Sequence, residues 1–323
     1  MTAVARVVIR CLVSLTLIGI ILYIVPLSTI LGSLENASLP IVAVTLCLTT
    51  LMVIIAGLYA STLAGIQGHA ISTLRFAHIS FTTMFYGLFL PGAISGGLIR
   101  WQKLNQVHND RARNATNIAM GRLISLLVAS LVGIACWSLD RRAGIHEGLL
   151  LMGAVVGLTF LYLLVMHSPI SGKLEQQLEN RLGSWPKARA ALLQILRSFS
   201  ELYRTPGNEL LRLLVISLVY HLCGIVAFYL FSLALRLDVD PFALGWIRSY
   251  VLIATLLPIS FAGIGVREGV LTLLLPAYGV SPSGAVALGL LLLLRNLVNA
   301  LIGAVLEADY ALRKRVASTT TSR

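Results

Sequence analysis

A chain of 323 residues that is 57% hydrophobic and 12% charged, with a mean hydropathy of +0.88, has too few charged side chains to cover a water-soluble globule, whose composition is about a quarter charged. The formal net charge of +12 does not point to nucleic acid, because the Lys and Arg fall mainly between apolar segments, where they set membrane orientation. What remains is an all-α polytopic membrane protein with room for about seven segments of roughly twenty residues, the length that crosses about 30 Å of hydrocarbon.

Arg6 and Arg10 precede an apolar run that ends at Val25. This is the opening of a signal peptide without its small-residue cleavage site, so residues 7–25 read as a retained first span. Further continuous apolar runs predict spans at 40–64, 115–137, 148–167, 209–235 and 283–311, by length and lack of charge. Two other apolar stretches, 75–100 and 241–278, are interrupted. The first contains Leu90-Pro91-Gly92-Ala93-Ile94-Ser95-Gly96-Gly97, the second Leu257-Pro258-Ile259-Ser260-Phe261-Ala262-Gly263-Ile264-Gly265. Proline removes a backbone donor and glycine loosens a helix, so both stretches are expected to turn or unwind.

Charge in the loops orients these segments. The N-terminus is cytoplasmic by Arg6 and Arg10, and 26–39 carries Glu35 but no Lys or Arg, so it faces out as a loop. The segment with Arg100, Lys103, Arg111 and Arg113 is cytoplasmic, as is the side on which His69 and Arg75 lie. Stretch 75–100 thus begins and ends on one side, as a re-entrant hairpin does. Asp140-Arg141-Arg142 with Glu147 faces out, while 168–208, with Lys173, Arg181, Lys187, Arg189, Arg197 and Arg204, faces in. Asp238 and Asp240 lie outside and Arg313-Lys314-Arg315 inside, so 241–278 is a second hairpin entering from the opposite face.

A shift of 167 residues lays Pro91 on Pro258, Gly96 on Gly263 and Arg100 on Arg267, and both breaks read L-P-x4-G-x3-R. The expected fold is one transmembrane domain, 1–323, made of inverted-topology repeat halves 1–140 and 145–315, each with three spans and one re-entrant helical hairpin. Broken elements meeting near the midplane are a common transporter architecture. Leu174, Leu178, Leu182, Leu192, Leu193, Leu196 and Phe199 fall at helical spacing among charges, predicting that 168–208 lies amphipathically on the inner leaflet. Ser318 to Ser322 reads as a disordered tail. Gly153 and Gly157 form a small-residue face suited to packing.

An Arg within a membrane span costs about 2.5 to 3.5 kcal/mol on insertion scales and turns to a partner or a wet cavity. Arg100 and Arg267 follow the two breaks, and Arg122 and Arg295 lie inside spans. Nearby acids are fewer, Glu268 beside Arg267 and Glu307 near the end of the last span, and such a cation excess implies an anionic guest. Arg grips phosphate oxygens bidentately, and unwound glycine-rich backbone offers free N–H groups. The candidate substrate-binding set is therefore Pro91, Gly92, Gly96, Gly97, Arg100, Arg122, Pro258, Gly263, Gly265, Arg267, Glu268, Arg295 and Asn296. His221, Asn296 and Asn299 are also polar residues suited to helix-to-helix hydrogen bonds. Cys11, Cys47, Cys136 and Cys223 form no CxxC pair, so neither a disulfide framework nor a zinc site is indicated. No catalytic pattern of the zinc-protease, P-loop, serine-hydrolase or Asp-rich kind occurs, and no metal or cofactor is expected.

At the two breaks the residues resemble the lysylphosphatidylglycerol-synthase transmembrane family, the flippase-like domain of the multiple peptide resistance factor and of many stand-alone proteins. The likeness covers nearly the whole chain, and Gly263-Ile264-Gly265-Val266-Arg267-Glu268 is its more diagnostic part. Arg122 falls where that family tends to have an intramembrane Arg. The resemblance implies translocation of an anionic or polyprenyl-type lipid between leaflets of a bacterial cytoplasmic (inner) membrane, without the soluble aminoacyl-transferase domain of the bifunctional members. A non-transporting accessory or scaffold subunit for a lipid-modifying or glycosyl-transferring enzyme is the rival reading, and an intramembrane enzyme the third. Homo-oligomer and enzyme partner both remain open.

Overall fold

The computed structural model describes residues 25–87, 93–166, 205–256 and 263–320, with positions 16, 19 and 23 besides. Within these residues the chain is all-helical. Its elements are α1 (Leu27–Glu35), α2 (Leu39–Ile66), α3 (Thr73–Gly87), α4 (Ala93–Val107), α5 (Arg111–Leu139), α6 (Ile145–Met166), α7 (Gly207–Ala234), α8 (Pro241–Leu256), α9 (Val266–Leu274), a 3-10 turn at Leu275–Tyr278 and α10 (Pro282–Thr320). The expected first span, the break residues Pro91, Gly92 and Pro258, and segment 168–208 up to residue 204 lie outside the described residues.

Four helices, Leu39–Ile66, Arg111–Leu139, Gly207–Ala234 and Pro282–Tyr310, are long and apolar enough to cross a membrane, and the chain is a multi-pass membrane protein. A helix of 28 residues is about 42 Å long. Leu51, Leu58, Leu218, Leu222, Val226, Leu301 and Val305 are exposed on these helices, the pattern of a chain whose outer surface meets lipid rather than water. Helix α6 runs 22 residues and packs on α5. The described parts of the other helices are shorter: α3 and α4 have 15 residues each, α8 has 16 and α9 has 9, lengths of about 14 to 24 Å. Helix α3 packs on α4, and α8 on α9.

Starts and stops follow local chemistry. Pro40 sits in the first turn of α2, where its missing N–H costs no bond,. The Asp110 carboxylate accepts from the Arg113 N–H (3.1 Å) and opens α5,. Gly265, at φ +86°, precedes α9, and its N–H donates to Glu268 (2.7 Å) three residues on.

Packing between the two halves is reciprocal. Helices α2 and α7 lie together, α3 packs on α10 as α8 packs on α5, and α1 packs on α10 as α6 packs on α5. Close approach at the two cross-half contacts needs glycine. A Cβ at Gly303 of α10 would overlap the Phe81 carbonyl of α3, and one at Gly133 of α5 would lie 2.7 Å from the Ser249 Cβ of α8. Small residues at helix interfaces let backbones meet where lipid provides no hydrophobic drive. The largest buried cluster centres on Trp246, Phe231, Leu244, Ile247, Leu271 and Leu288, and fastens α8 and α9 onto α7 and α10.

Two expectations are corrected. Residues 26–39 are no plain loop but contain α1, which packs on α10 through Ile30 against Val286. The tail expected to be disordered from Ser318 continues α10 to Thr320. A long helix adds residues without a new nucleation cost. Gly153 and Gly157 are exposed, with no described residue within 4 Å of a Cβ at either.

Candidate functional site

The site forms where the half-length helices meet the spans. A cavity of about 500 Å³ is lined by Tyr59 and Ala56 of α2, Arg100 of α4, Asn117, Arg122 and Ser125 of α5, Ser217 and Tyr220 of α7, Thr255 of α8 and Gly263. A second space of about 250 Å³ is lined by Thr49 and Met52 of α2, Ser80 and Thr83 of α3, Arg295, Asn296 and Asn299 of α10, and again by Ala56, Arg100 and Tyr220. The three shared residues make the two adjoining compartments. Arg100 stands between them.

Three guanidinium groups therefore face connected space: Arg100 and Arg122 from the first half, and Arg295 from the second. Among the described residues no Asp or Glu lines either compartment. Arg100 and Arg122 repel each other, and Arg295 is repelled by Arg248 and Arg267. The Arg100 Nε is buried without a hydrogen-bond partner, a costly state for a charged group unless something else supplies an acceptor. Arg100 also lies over the Phe76 ring, 5.9 Å from its centroid. Arg295 bonds Asn296 of its own helix at 3.1 and 3.3 Å.

The glycines of the first break serve these groups. Gly97 leaves room for Arg122, whose Nη2 would lie 3.5 Å from a Cβ there, and Gly96 packs on the Thr83 methyl at 3.6 Å. In the second break Gly263, at φ +75°, packs under Thr255 and lines the larger compartment. Arg267 and Glu268 are placed differently. Both are buried, 5% and 6% exposed, and neither lines either compartment. Arg267 donates to Glu268 Oε1 through Nε (2.9 Å) and Nη2, while Glu268 Oε2 accepts the Gly265 N–H. The structure thus brings Arg100, Arg122, Arg295, Asn296, Gly97 and Gly263 to the cavity and sets Arg267, Glu268 and Gly265 behind it as one internal knot.

Sequence reasoning passed over Arg248. It lies in α8, 7% exposed, with Nη1 3.2 Å from His221 Nδ1, and its guanidinium occupies the space a Gly224 side chain would fill. The signal was available, since Trp246-Ile247-Arg248-Ser249-Tyr250 is an Arg in an apolar run as much as Arg122 is. His221 and Asn299 make the interhelical bonds expected of them, His221 Nε2 to Ser125 Oγ (3.1 Å) and Thr50 Oγ1 to Asn299 (3.0 Å).

Two acids, Glu307 of α10 and Asp140 at the end of α5, tie neighbouring elements together. Glu307 holds Lys103 of α4 (2.6 Å) and Tyr86 of α3 (3.1 Å). Asp140 accepts from Trp246 of α8 (2.8 Å) and from Tyr278. Among the described residues no group of His, Cys, Asp and Glu could hold a metal ion.

A family model described as the lysylphosphatidylglycerol synthase TM region matches residues 7–303. No curated protein matches the chain.

Proposed function

The chain belongs to the lysylphosphatidylglycerol synthase TM region family, a flippase-like membrane domain, and on that premise we propose that it moves an anionic, phosphate-bearing lipid between the leaflets of the bacterial cytoplasmic membrane. The observation that carries this reading is the cluster of Arg100, Arg122 and Arg295, contributed by both halves, in two adjoining compartments that no carboxylate among the described residues lines. A phosphate accepts from several guanidiniums at once and relieves their repulsion. The head group occupies the two compartments while the acyl or prenyl tails stay in the bilayer. Arg267 acts as a fixed charge behind Arg295.

The inverted repeat is supported by the reciprocal packing and by helix starts. Helices α2 and α7 are both 28 residues long, and their first residues lie within one position of the 167-residue offset that aligns the breaks. The same offset lays Asp140 on Glu307. In this reading α3–α4 and α8–α9 are the two re-entrant hairpins, and each is tied by one of these acids to the long helix of the other half. Releasing Lys103 at one membrane face or Trp246 at the other opens the cavity to alternate sides. Both termini are cytoplasmic by the loop charges.

Purified full chain in vesicles tests the reading, with fluorescent phosphatidylglycerol as probe and phosphatidylcholine as the neutral comparison. Losing one charged hydrogen bond to phosphate costs about 1.5 to 3 kcal/mol, so Arg100→Ala and Arg122→Ala each slow exchange of the anionic probe about 10- to 100-fold. Wild-type exchange in both variants, or no exchange by wild type of any anionic or polyprenyl probe, overturns it.

A further inference from the structure

Hydroxyl groups in these helices mostly spend their proton on the preceding turn. Thr45, Thr62, Ser80, Thr83, Thr116 and Thr255 all donate to a carbonyl four residues earlier, at 2.7 to 2.9 Å. Two hydroxyls on the wall of the larger compartment do not. Ser217 is 2% exposed, its Oγ is buried, and it has no hydrogen-bond partner among the described residues. Ser125 makes its one side-chain bond to His221 Nε2, and the direction of that bond follows from the groups behind it.

Arg248 Nη1 lies 3.2 Å from His221 Nδ1. A guanidinium can only donate, so Nδ1 is a bare acceptor, the imidazole is neutral, and its one proton is on Nε2. Nε2 then donates to Ser125 and cannot accept from it. The carbonyl one turn before Ser125, that of Gly121, already accepts the Tyr59 hydroxyl at 3.1 Å. The Ser125 proton is left to point into the cavity that Ser125 lines. Ser217 and His221 are four residues apart on α7, hence on one face of that helix. The cavity wall beside Arg122, three residues before Ser125 on α5, thus presents two neutral donors without acceptors among the described residues,.

We propose that Ser125 and Ser217 donate hydrogen bonds to the oxygens of a lipid phosphate, with His221, held in its Nε2–H form by Arg248, as the positioning residue for Ser125. This rests on the lipid-transport reading above and narrows its substrate. A phosphate offers enough lone pairs to satisfy the cavity arginines and two hydroxyls together, which a lone carboxylate does not. The site therefore selects a phosphate ester over a carboxylate-only head group.

Titration calorimetry of the detergent-solubilised full chain with glycerol 1-phosphate, and with butyrate for comparison, tests this. Ser125→Ala and Ser217→Ala each weaken glycerol phosphate binding about tenfold, Ser125→Thr keeps it, and preference over butyrate shrinks in both alanine variants. Fluorescent phosphatidylglycerol exchange slows in the same two variants, which ties the effect to a lipid head group rather than to free phosphate. In protein with ¹⁵N-labelled histidine, His221 shows a bare Nδ1 and a protonated Nε2, and the Nε2 signal moves on adding glycerol phosphate in wild type but not in Ser125→Ala. If Arg122→Ala weakens binding while both alanine variants bind and exchange as wild type does, the serine assignment is wrong and the arginine reading stands. If wild type binds no glycerol phosphate and Arg122→Ala changes nothing, both fail. A protonated Nδ1 overturns the role given to His221.

Discussion

The knot of Arg267, Glu268 and Gly265 yields the sharpest prediction, because one carboxylate there serves three donors. Glu268 accepts two bonds from Arg267 and one from the Gly265 N–H, and its Cγ would lie 2.9 Å from a Cβ on Gly289, so the site has no spare room. Glu268→Gln keeps the shape and one acceptor oxygen but leaves a guanidinium that is 5% exposed without its countercharge. Arg267→Met leaves the carboxylate in the same position. Removing one partner of a buried pair costs about 3 to 5 kcal/mol, whereas replacing both with neutral groups of similar volume is often close to neutral. Each single variant therefore loses about 3 to 5 kcal/mol, and Arg267→Met combined with Glu268→Gln loses about 2 kcal/mol or less. Reversible unfolding in mixed micelles measures all three. Costs that add to within about 0.5 kcal/mol, as independent sites do, refute the knot. Loss of lipid exchange in Arg267→Met at wild-type stability refutes it differently, by making Arg267 a group that holds the guest.

Gly303→Ala places a methyl group on the Phe81 carbonyl, backbone that no rotamer change can clear, so it loses about 1 to 3 kcal/mol by overpacking. Gly153→Ala, facing open space, stays within about 0.5 kcal/mol, both read by thermal unfolding in nanodiscs. Glu307→Gln frees Lys103 and Tyr86, and hydrogen exchange over residues 97–107 quickens while α6 is unchanged. An unaltered α4 argues against a latch there. Gly224→Ala pushes the Arg248 guanidinium off His221, and the histidine ¹⁵N spectrum then shows a mixture of tautomers where wild type shows one.

The four membrane-crossing helices were legible because hydropathy is summed along the chain, and each of the four appears within a few residues of the run that announced it. The breaks are read from sequence for the same local reason, since proline and glycine act on their own turn, and Pro91 and Pro258 themselves lie outside the described residues. Helix α1 was hidden because a nine-residue element carries too few residues for periodicity to show, and it is held by Val286 rather than by its own propensity. Arg100, Arg122 and Arg295 were each visible as a charge in an apolar setting.

Whether those charges share a space was not visible, since Arg100, Arg122 and Arg295 come from three helices and their meeting depends on which face each helix turns to its neighbours. The sequence alone determined where the four long apolar helices run and which charges are carried in with them, because each of these is decided within a few residues of chain. Only the tertiary structure decided that Arg267 is bound to Glu268 while Arg122 faces open space, and that Arg248 fixes a histidine that points a serine at the cavity. The histidine and serine contacts turn on distances of about 3 Å between residues far apart in the chain, and the Arg267–Glu268 pair, though adjacent in sequence, on which way its buried side chains turn, which packing sets and local pattern does not.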